Sequence, residues 1–451
     1  MPLTKNHQVV DLLGVGIGPF NLSLAALSAE IDEINCVFFD SKTQFDWHAG
    51  LLLDGCTLQV PFMADLVTMA DPTNPLSYLN YLQKTQRLYG FYFYENFFIQ
   101  RKDYNQYCQW VCHQLPYLHF GHQVNAIEEH KEGFLVSVMN LATAEVKKVV
   151  AKHVVLGMGS TPYIPEVAAN MAQQNIIHSA EYLPKKPSLL HNNSITLIGA
   201  GQSAAEIFID LLNNQQQYGY ELNWLTRSQG FLPMEYSKLG LEHFSPDYID
   251  HFHQLNEKTK DHILKGQGLW YKGISANTIS DIYQLLYQRQ IAGEPNQITL
   301  QANSELVAIN ATNDQLKLTF QHSELNQQFS INTTALILAT GYQPSNLSCL
   351  APLHPLLKKD QHQRLLIDRQ YRILTQRPLK GHIFIQNGEL HTHGIGAPDL
   401  GLGAYRSAMI INTLLNKNHF NLATKNVFQS FGIAPKWQHA ITDHKPIEAS
   451  A

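Results

Sequence analysis

Twice in this chain a short apolar strand runs into a glycine-spaced turn and then a helix, and that repetition restricts the possible folds more than any other feature. The run Val9 to Val15 leads into Gly16-Ile17-Gly18-Pro19-Phe20-Asn21; a helical run follows from Asn21 to Ala29, and Cys36 to Phe39 reads as a second buried strand. The order returns with Ile195 to Ile198, then Gly199-Ala200-Gly201-Gln202-Ser203-Ala204, a helical run from Ala204 to Leu212, and the strand Leu222 to Thr226. Two βαβ openings predict an α/β fold with two Rossmann-like dinucleotide-binding domains.

Each turn has a physical reading. Gly16 permits the tight turn, and Gly18 lets the backbone approach a pyrophosphate at the helix N-terminus. Asp40 ends the second strand, where an acid bonds a ribose hydroxyl. Asn21 replaces the third glycine and is expected, with Gly16 and Gly18, to contact FAD. In the second turn Gly199 and Gly201 take the same places, and Ala204 is small enough for close helix packing. Arg227 follows the second strand where an acid would suit NAD, and arginine instead suits the 2′-phosphate of NADP. Together with Ala339-Thr340-Gly341-Tyr342, the economical expectation is FAD in the first domain and NADPH in the second.

Composition narrows the partners. The chain has 451 residues and a net charge of −5, so nothing in it asks for a nucleic acid. Five cysteines without a CxxC pair do not make a disulfide framework, the N-terminus from Met1 to Gln8 is polar, and no apolar run reaches the ~20 residues of a membrane span. The expectation is a cytoplasmic protein that binds neither membrane nor nucleic acid. The boundaries expected are an FAD-binding domain at 1–188 and 335–451, an NADPH-binding domain at 189–230 and 285–334, and a mainly helical substrate-binding insert at 231–284. Ala335 to Ala339 is read as the chain returning to the first domain, completed by a helix from about Ala404 to Leu415. His391 and His393 flank one residue without a third ligand at suitable spacing, so no metal is expected.

Several blocks in order carry a resemblance. They are Asp11-Leu12-Leu13-Gly14-Val15-Gly16-Ile17-Gly18-Pro19, Phe45-Asp46-Trp47-His48, Leu58-Gln59-Val60-Pro61-Phe62-Met63-Ala64-Asp65-Leu66-Val67 and Asp71-Pro72-Thr73-Asn74-Pro75. Further on come Gly201-Gln202-Ser203-Ala204-Ala205-Glu206, Ala339-Thr340-Gly341-Tyr342 and Thr392-His393-Gly394. Over nearly its whole length the chain resembles the flavin-dependent N-hydroxylating monooxygenases of siderophore biosynthesis. The resemblance implies NADPH reducing FAD, O2 as co-substrate, a C4a-hydroperoxyflavin, and oxygen transfer to a neutral primary amine, with the chemistry carried by the cofactor and no general base assigned. It also implies a homo-oligomer, dimer or tetramer.

By the same resemblance Asp40 to His48, Gln59 and Val124 contact FAD, with Trp47, His48 and Gln59 nearest the reactive ring, and the Asp399-Leu400-Gly401 turn closes over it. Gln202, Ser203, Ala204, Ala205, Arg227, Trp270, Tyr271 and Lys272 contact NADPH. Ala64, Leu241, Trp270 and Leu402 line the substrate pocket. The lysine and ornithine enzymes look to carry lysine at the place of Ala64, and the ornithine enzymes asparagines at those of Leu241 and Trp270. Apolar groups there leave an α-carboxylate unpaired. The expected substrate is therefore a primary amine without an α-carboxylate: putrescine, cadaverine or histamine.

The alternatives are an L-lysine or L-ornithine N-monooxygenase, or a nucleotide-binding redox sensor without turnover. A flavin disulfide reductase needs a cysteine pair near the flavin that this chain lacks. A Baeyer–Villiger oxygenase would want Phe and Gly ahead of His178, where Ala172 and Gln174 stand.

Overall fold

The strand Val10–Val15 lies inside a seven-stranded sheet, flanked on one side by Cys36–Asp40 and Leu118–Phe120 and on the other by Val146–Leu156, Gly133–Asn140 and His122–His130. The computed structural model describes residues 9–169, 171, 175–293, 297–312, 315–434 and 436–437; Ala172 and Gln174 lie outside them. Val10–Val15 runs parallel to Cys36–Asp40 and to the second half of Val146–Leu156, while the first half of that long strand pairs antiparallel with Gly133–Asn140. The helices Pro19–Ser28, Arg101–Gln114 and Gly403–Leu415 bury Leu22, Tyr104, Tyr107 and Ala408 in one core with Phe38.

A second, five-stranded sheet is parallel in every pair, in the order Ile298–Gln301, Glu221–Leu225, Ser194–Ile198, Ala335–Leu338, Ile176–His178. Side chains alternate across it, as a period of two requires. Ala335 and Ile337 join the core under the helices Gln202–Tyr218 and Ala276–Ile291, and Leu336 and Leu338 join the core under the antiparallel sheet Ser304–Ala311, Leu316–His322, Gln327–Thr333.

Three expected boundaries move. Ala335–Leu338 pairs with Ser194–Ile198 and belongs to the second sheet, not the first. A short run apolar on both faces satisfies either sheet, so the sequence pattern could not assign it. The chain crosses between the sheets through Ser160–Pro162 and Tyr342–Pro344, which pair antiparallel, and re-enters the first sheet as Ile383–Ile385 beside Val146–Leu156. Ile176–His178 also joins the second sheet, ahead of the expected start at 189. Lastly, Ile282 of the helix Ala276–Ile291 is buried in the second core, which trims the insert to four short helices. These are Lys238–Leu241, Pro246–Gln254, Glu257–Gly266 and Leu269–Lys272. They dock on the first unit, where Tyr248 and Phe252 pack against Ile395.

Candidate active site

Gly16 has φ +86, and a Cβ there would sit 2.5 Å from the Gly157 carbonyl oxygen, so only glycine makes this turn unstrained. Gly18 is different. Its φ is −86, and the only atom within 4 Å of a Cβ built there is Gly157 O at 4.0 Å, which leaves open space for a ligand at the helix start. Asp40 holds the turn from the next strand, with Oδ2 accepting the Ile17 N–H at 2.6 Å and Oδ1 the Lys42 N–H at 2.8 Å. Both oxygens keep a lone pair for a ribose hydroxyl. Asn21 faces inward, contrary to expectation. Fully buried, it donates from Nδ2 to Val15 O and Gly16 O and accepts from Gln386 Nε2, bracing the turn. Val124 packs in the core beside Phe39.

In the second turn Gly199 has φ +145 and a Cβ would collide with the Ala339 carbonyl. Trp224 Nε1 donates to Gly199 O at 2.7 Å, and a Cβ on Gly201 would meet Lys272 O at 3.3 Å. Ala204 and Ala205 are buried and their N–H groups bond back to Gly201 O, so the contacts expected of these two are taken up by the helix itself. Gln202 also spends its amide internally: Oε1 accepts from Ser275 N, and Nε2 donates to Glu206 and Thr278. Arg227 stands exposed past the second strand, 3.9 Å from Glu305. Lys272 is exposed, its ammonium 5.1 Å from the Tyr271 ring centre.

A cavity of about 470 Å³ is lined by residues of both units and the insert. It gathers Trp47, His48, Gln59, Ala64, Gln202, Ser203, Leu241, Trp270, Tyr271, Asp399, Leu400 and Gly401 from the expected set. Leu402 is not among them, because it turns into the core against Ile249 and Tyr405. Gln59 Nε2 is buried without a hydrogen-bond partner, an orphaned donor on the cavity wall. His48 adopts φ +53 at the start of the turn Ala49–Leu51 and meets Trp47 edge-on at 4.4 Å. Burial and the Arg101 guanidinium push its imidazole down to about 3, so it is neutral at physiological pH.

Arg101 and Glu206 were missed as a pair. Arg101, on the cavity wall, makes a bidentate contact with Glu206, Nη1 to Oε2 and Nη2 to Oε1, both at 2.8 Å, and Nη1 also reaches Leu51 O. The two residues are 8% and 5% exposed and lie in different units, so the pair ties one Rossmann unit to the other. No local pattern marks a pair 105 positions apart. His391 Nε2 is hydrogen-bonded to Leu365 O, and His393 stacks on Tyr371; among the described residues no group of three or more His, Cys, Asp or Glu could hold a metal.

The orphaned Gln59 amide, the open Gly18 turn and the two forced glycines fit dinucleotides. The sequence profile of the L-lysine 6-monooxygenase/L-ornithine 5-monooxygenase family matches residues 8–344. The chain belongs to that family. It is 46% identical over 428 residues to the putrescine N-hydroxylase of Shewanella oneidensis, covering 94% of this chain and 85% of that one. The FAD-bound cadaverine monooxygenase of the desferrioxamine pathway of Erwinia amylovora superposes with a TM-score of 0.91 at 37% identity, covering 95% of this chain and 99% of that one. An ornithine N-hydroxylase of Kutzneria sp. 744, with reduced FAD, NADP⁺ and L-ornithine, superposes at 0.84 and 26% identity, covering 91% and 99%. Among the described residues no helix is long and apolar enough to cross a membrane.

Proposed function

We propose that this protein hydroxylates one nitrogen of a diamine such as putrescine or cadaverine, with FAD, NADPH and O2, for hydroxamate siderophore assembly. One observation carries the reading. Among the described residues lining the cavity, Arg101 is the only lysine or arginine, and its guanidinium is committed to Glu206, so an α-carboxylate would find no cation there. The methyl of Ala64, 5% exposed on the wall, stands where the amino-acid enzymes look to place a lysine. The names of the diamine-using relatives support the same choice.

Gly16, Gly18, Asp40, Trp47, His48 and Gln59 would hold FAD, and the Gly199–Ser203 turn with Arg227 would hold NADPH. Bound FAD, once reduced by NADPH, supplies the O2 activation from which one oxygen atom passes to nitrogen. The chain itself contributes position and dryness. An amine attacks only when neutral, and the apolar wall of Leu58, Val60, Leu241 and Trp270 disfavours its ammonium form. Neutral His48 offers a hydrogen bond without adding charge beside it. The Arg101–Glu206 pair fixes how the two glycine turns face each other across the cavity.

Five free cysteines support a cytoplasmic location. Exposed Tyr89, Tyr92 and Phe93 on the helix Leu88–Tyr94 support a dimer or tetramer, read by sedimentation. The deciding experiment is hydroxylamine detection across putrescine, cadaverine, histamine, lysine and ornithine. NADPH oxidation coupled to hydroxylamine from a diamine is the expected result. Better turnover of lysine or ornithine than of every decarboxylated amine overturns it, and no turnover of any favours a redox sensor.

A further inference from the structure

The cavity is lined by two carboxylates in unlike surroundings. Glu235 is exposed at the mouth, where its Oε1 accepts the Ser237 N–H at 2.7 Å, and hydrogen bonds to Ser237 hold its carboxyl below the usual range. Asp399 sits deeper. Its Oδ1 accepts the Gly401 N–H at 2.7 Å, capping the turn Leu400–Leu402. The backbone of Leu402 also supports the carboxylate, but among the described residues no lysine or arginine nitrogen lies within 4 Å of it. Arg406, the neighbouring cation, pairs with Glu389 at 3.0 Å, donates from Nη2 to the carbonyls of Gly396 and Ala397, and acts on Asp399 only through its field. A carboxylate with no cation in direct contact, against a largely apolar cavity, is costly, and the cost falls when a cation enters.

The place of that carboxylate relative to Ala64 follows from Gly401. A Cβ built on Gly401 would lie 2.8 Å from Asp399 Oδ1 and 3.9 Å from Ala64 Cβ. The carboxylate and the methyl are therefore less than 7 Å apart, with no side chain on Gly401 between them. A diamine that offers one neutral nitrogen for hydroxylation keeps the other as an ammonium, and a short alkyl chain suits the apolar wall between. We propose that Asp399 receives this far ammonium beside the Ala64 methyl, making it the residue that selects diamines over monoamines. The assignment rests on the diamine reading above and moves Asp399 from the flavin to the substrate. Burial pushes its carboxyl up to about 6, as expected of an anion waiting for a partner, and an arriving ammonium favours its charged form.

The test compares kcat/KM for hydroxylamine formation from putrescine and from n-butylamine, which has the same carbon chain and no second nitrogen. Wild-type protein should favour putrescine. In Asp399→Asn the side-chain oxygen still caps Gly401 N–H while the charge is gone. The putrescine-to-butylamine ratio should fall roughly tenfold to a hundredfold, the worth of one charge-assisted hydrogen bond. Asp399→Ser, also a capping residue, is the second variant if the first fails to fold, and flavin content is measured on each. A ratio within about twofold of wild type overturns the proposal, as does loss of the ratio in Glu235→Gln instead. A wild-type protein that hydroxylates no diamine removes the underlying reading, an outcome distinct from an unchanged ratio.

Discussion

Ala64→Lys should turn a cavity suited to a dication into one that repels it. The methyl of Ala64 lies on the cavity wall, less than 7 Å from Asp399 Oδ1, and the four-carbon stem of a lysine can cross that gap. Two ammonium groups about 5 Å apart at an effective dielectric near 20 repel by about 3 kcal/mol. The introduced ammonium also takes Asp399 as its own partner, so the diamine loses an attraction while gaining a repulsion. Three kcal/mol corresponds to a factor of roughly 100 in affinity.

The assay is hydroxylamine formation at varied putrescine, with bound flavin quantified on the same preparation so that a folding defect is not read as a substrate effect. Putrescine KM should rise by more than about tenfold, with lysine or ornithine gaining slightly because the new cation can meet an α-carboxylate. Unchanged putrescine KM in a fully flavinated variant would refute the placement of the far ammonium near Ala64.

Gly18→Val should fold, because its φ of −86 is ordinary and a Cβ meets no atom closer than Gly157 O at 4.0 Å, yet the purified protein should lose its yellow colour; retained stoichiometric flavin would refute the site. Arg227→Ala should raise KM for NADPH about tenfold or more with little change for NADH, and its exposed, 3.9 Å contact with Glu305 implies no loss in unfolding midpoint. Glu206→Ala leaves the Arg101 guanidinium buried without its partner and should cost about 3–5 kcal/mol in denaturant unfolding, whereas a loss below ~1 kcal/mol would mean the pair does not hold the units together. His153, pushed down to about 4 by burial and the neighbouring His382, stays neutral when folded but protonates when unfolded below pH ~6.5. Stability should therefore fall as pH drops from 6.5 toward 4, by up to ~1.4 kcal/mol per unit for such a group, and His153→Gln should flatten the fall.

Both glycine turns and their flanking strands were legible because local chemistry determines them: Gly16 and Gly199 take positive φ, and their neighbours form strand and helix on apolar pattern alone. The helix expected from about Ala404 to Leu415 is Gly403–Leu415 for the same reason. What local pattern does not carry is which sheet a buried strand joins. The apolar run Ala335–Leu338 carries no pattern that tells one sheet from the other, and its place beside Ser194–Ile198 shows only in the long-range pairing, next to the crossing at Ser160–Pro162 and Tyr342–Pro344.

The site divides along the same line. Trp47, His48, Gln59, Ala64 and the Asp399 turn lie in contiguous motifs and converge on one cavity, but motif spacing does not say which way a side chain points. Asn21 occupies a fingerprint position and faces the core, where its amide donates to the Val15 and Gly16 carbonyls at the turn. Leu402 follows Gly401 by one residue, and in a tightly wound turn one residue is enough to rotate it out of the cavity and into the core. Gln202 binds the helix start to Ser275 and Thr278 instead of reaching outward. At each glycine turn a polar side chain is thus spent holding the turn so that backbone N–H groups and glycine surface remain for the ligand. Among the side chains that line the cavity, the apolar walls and neutral His48 keep it dry and uncharged, and the carboxylates set the charge a substrate must bring.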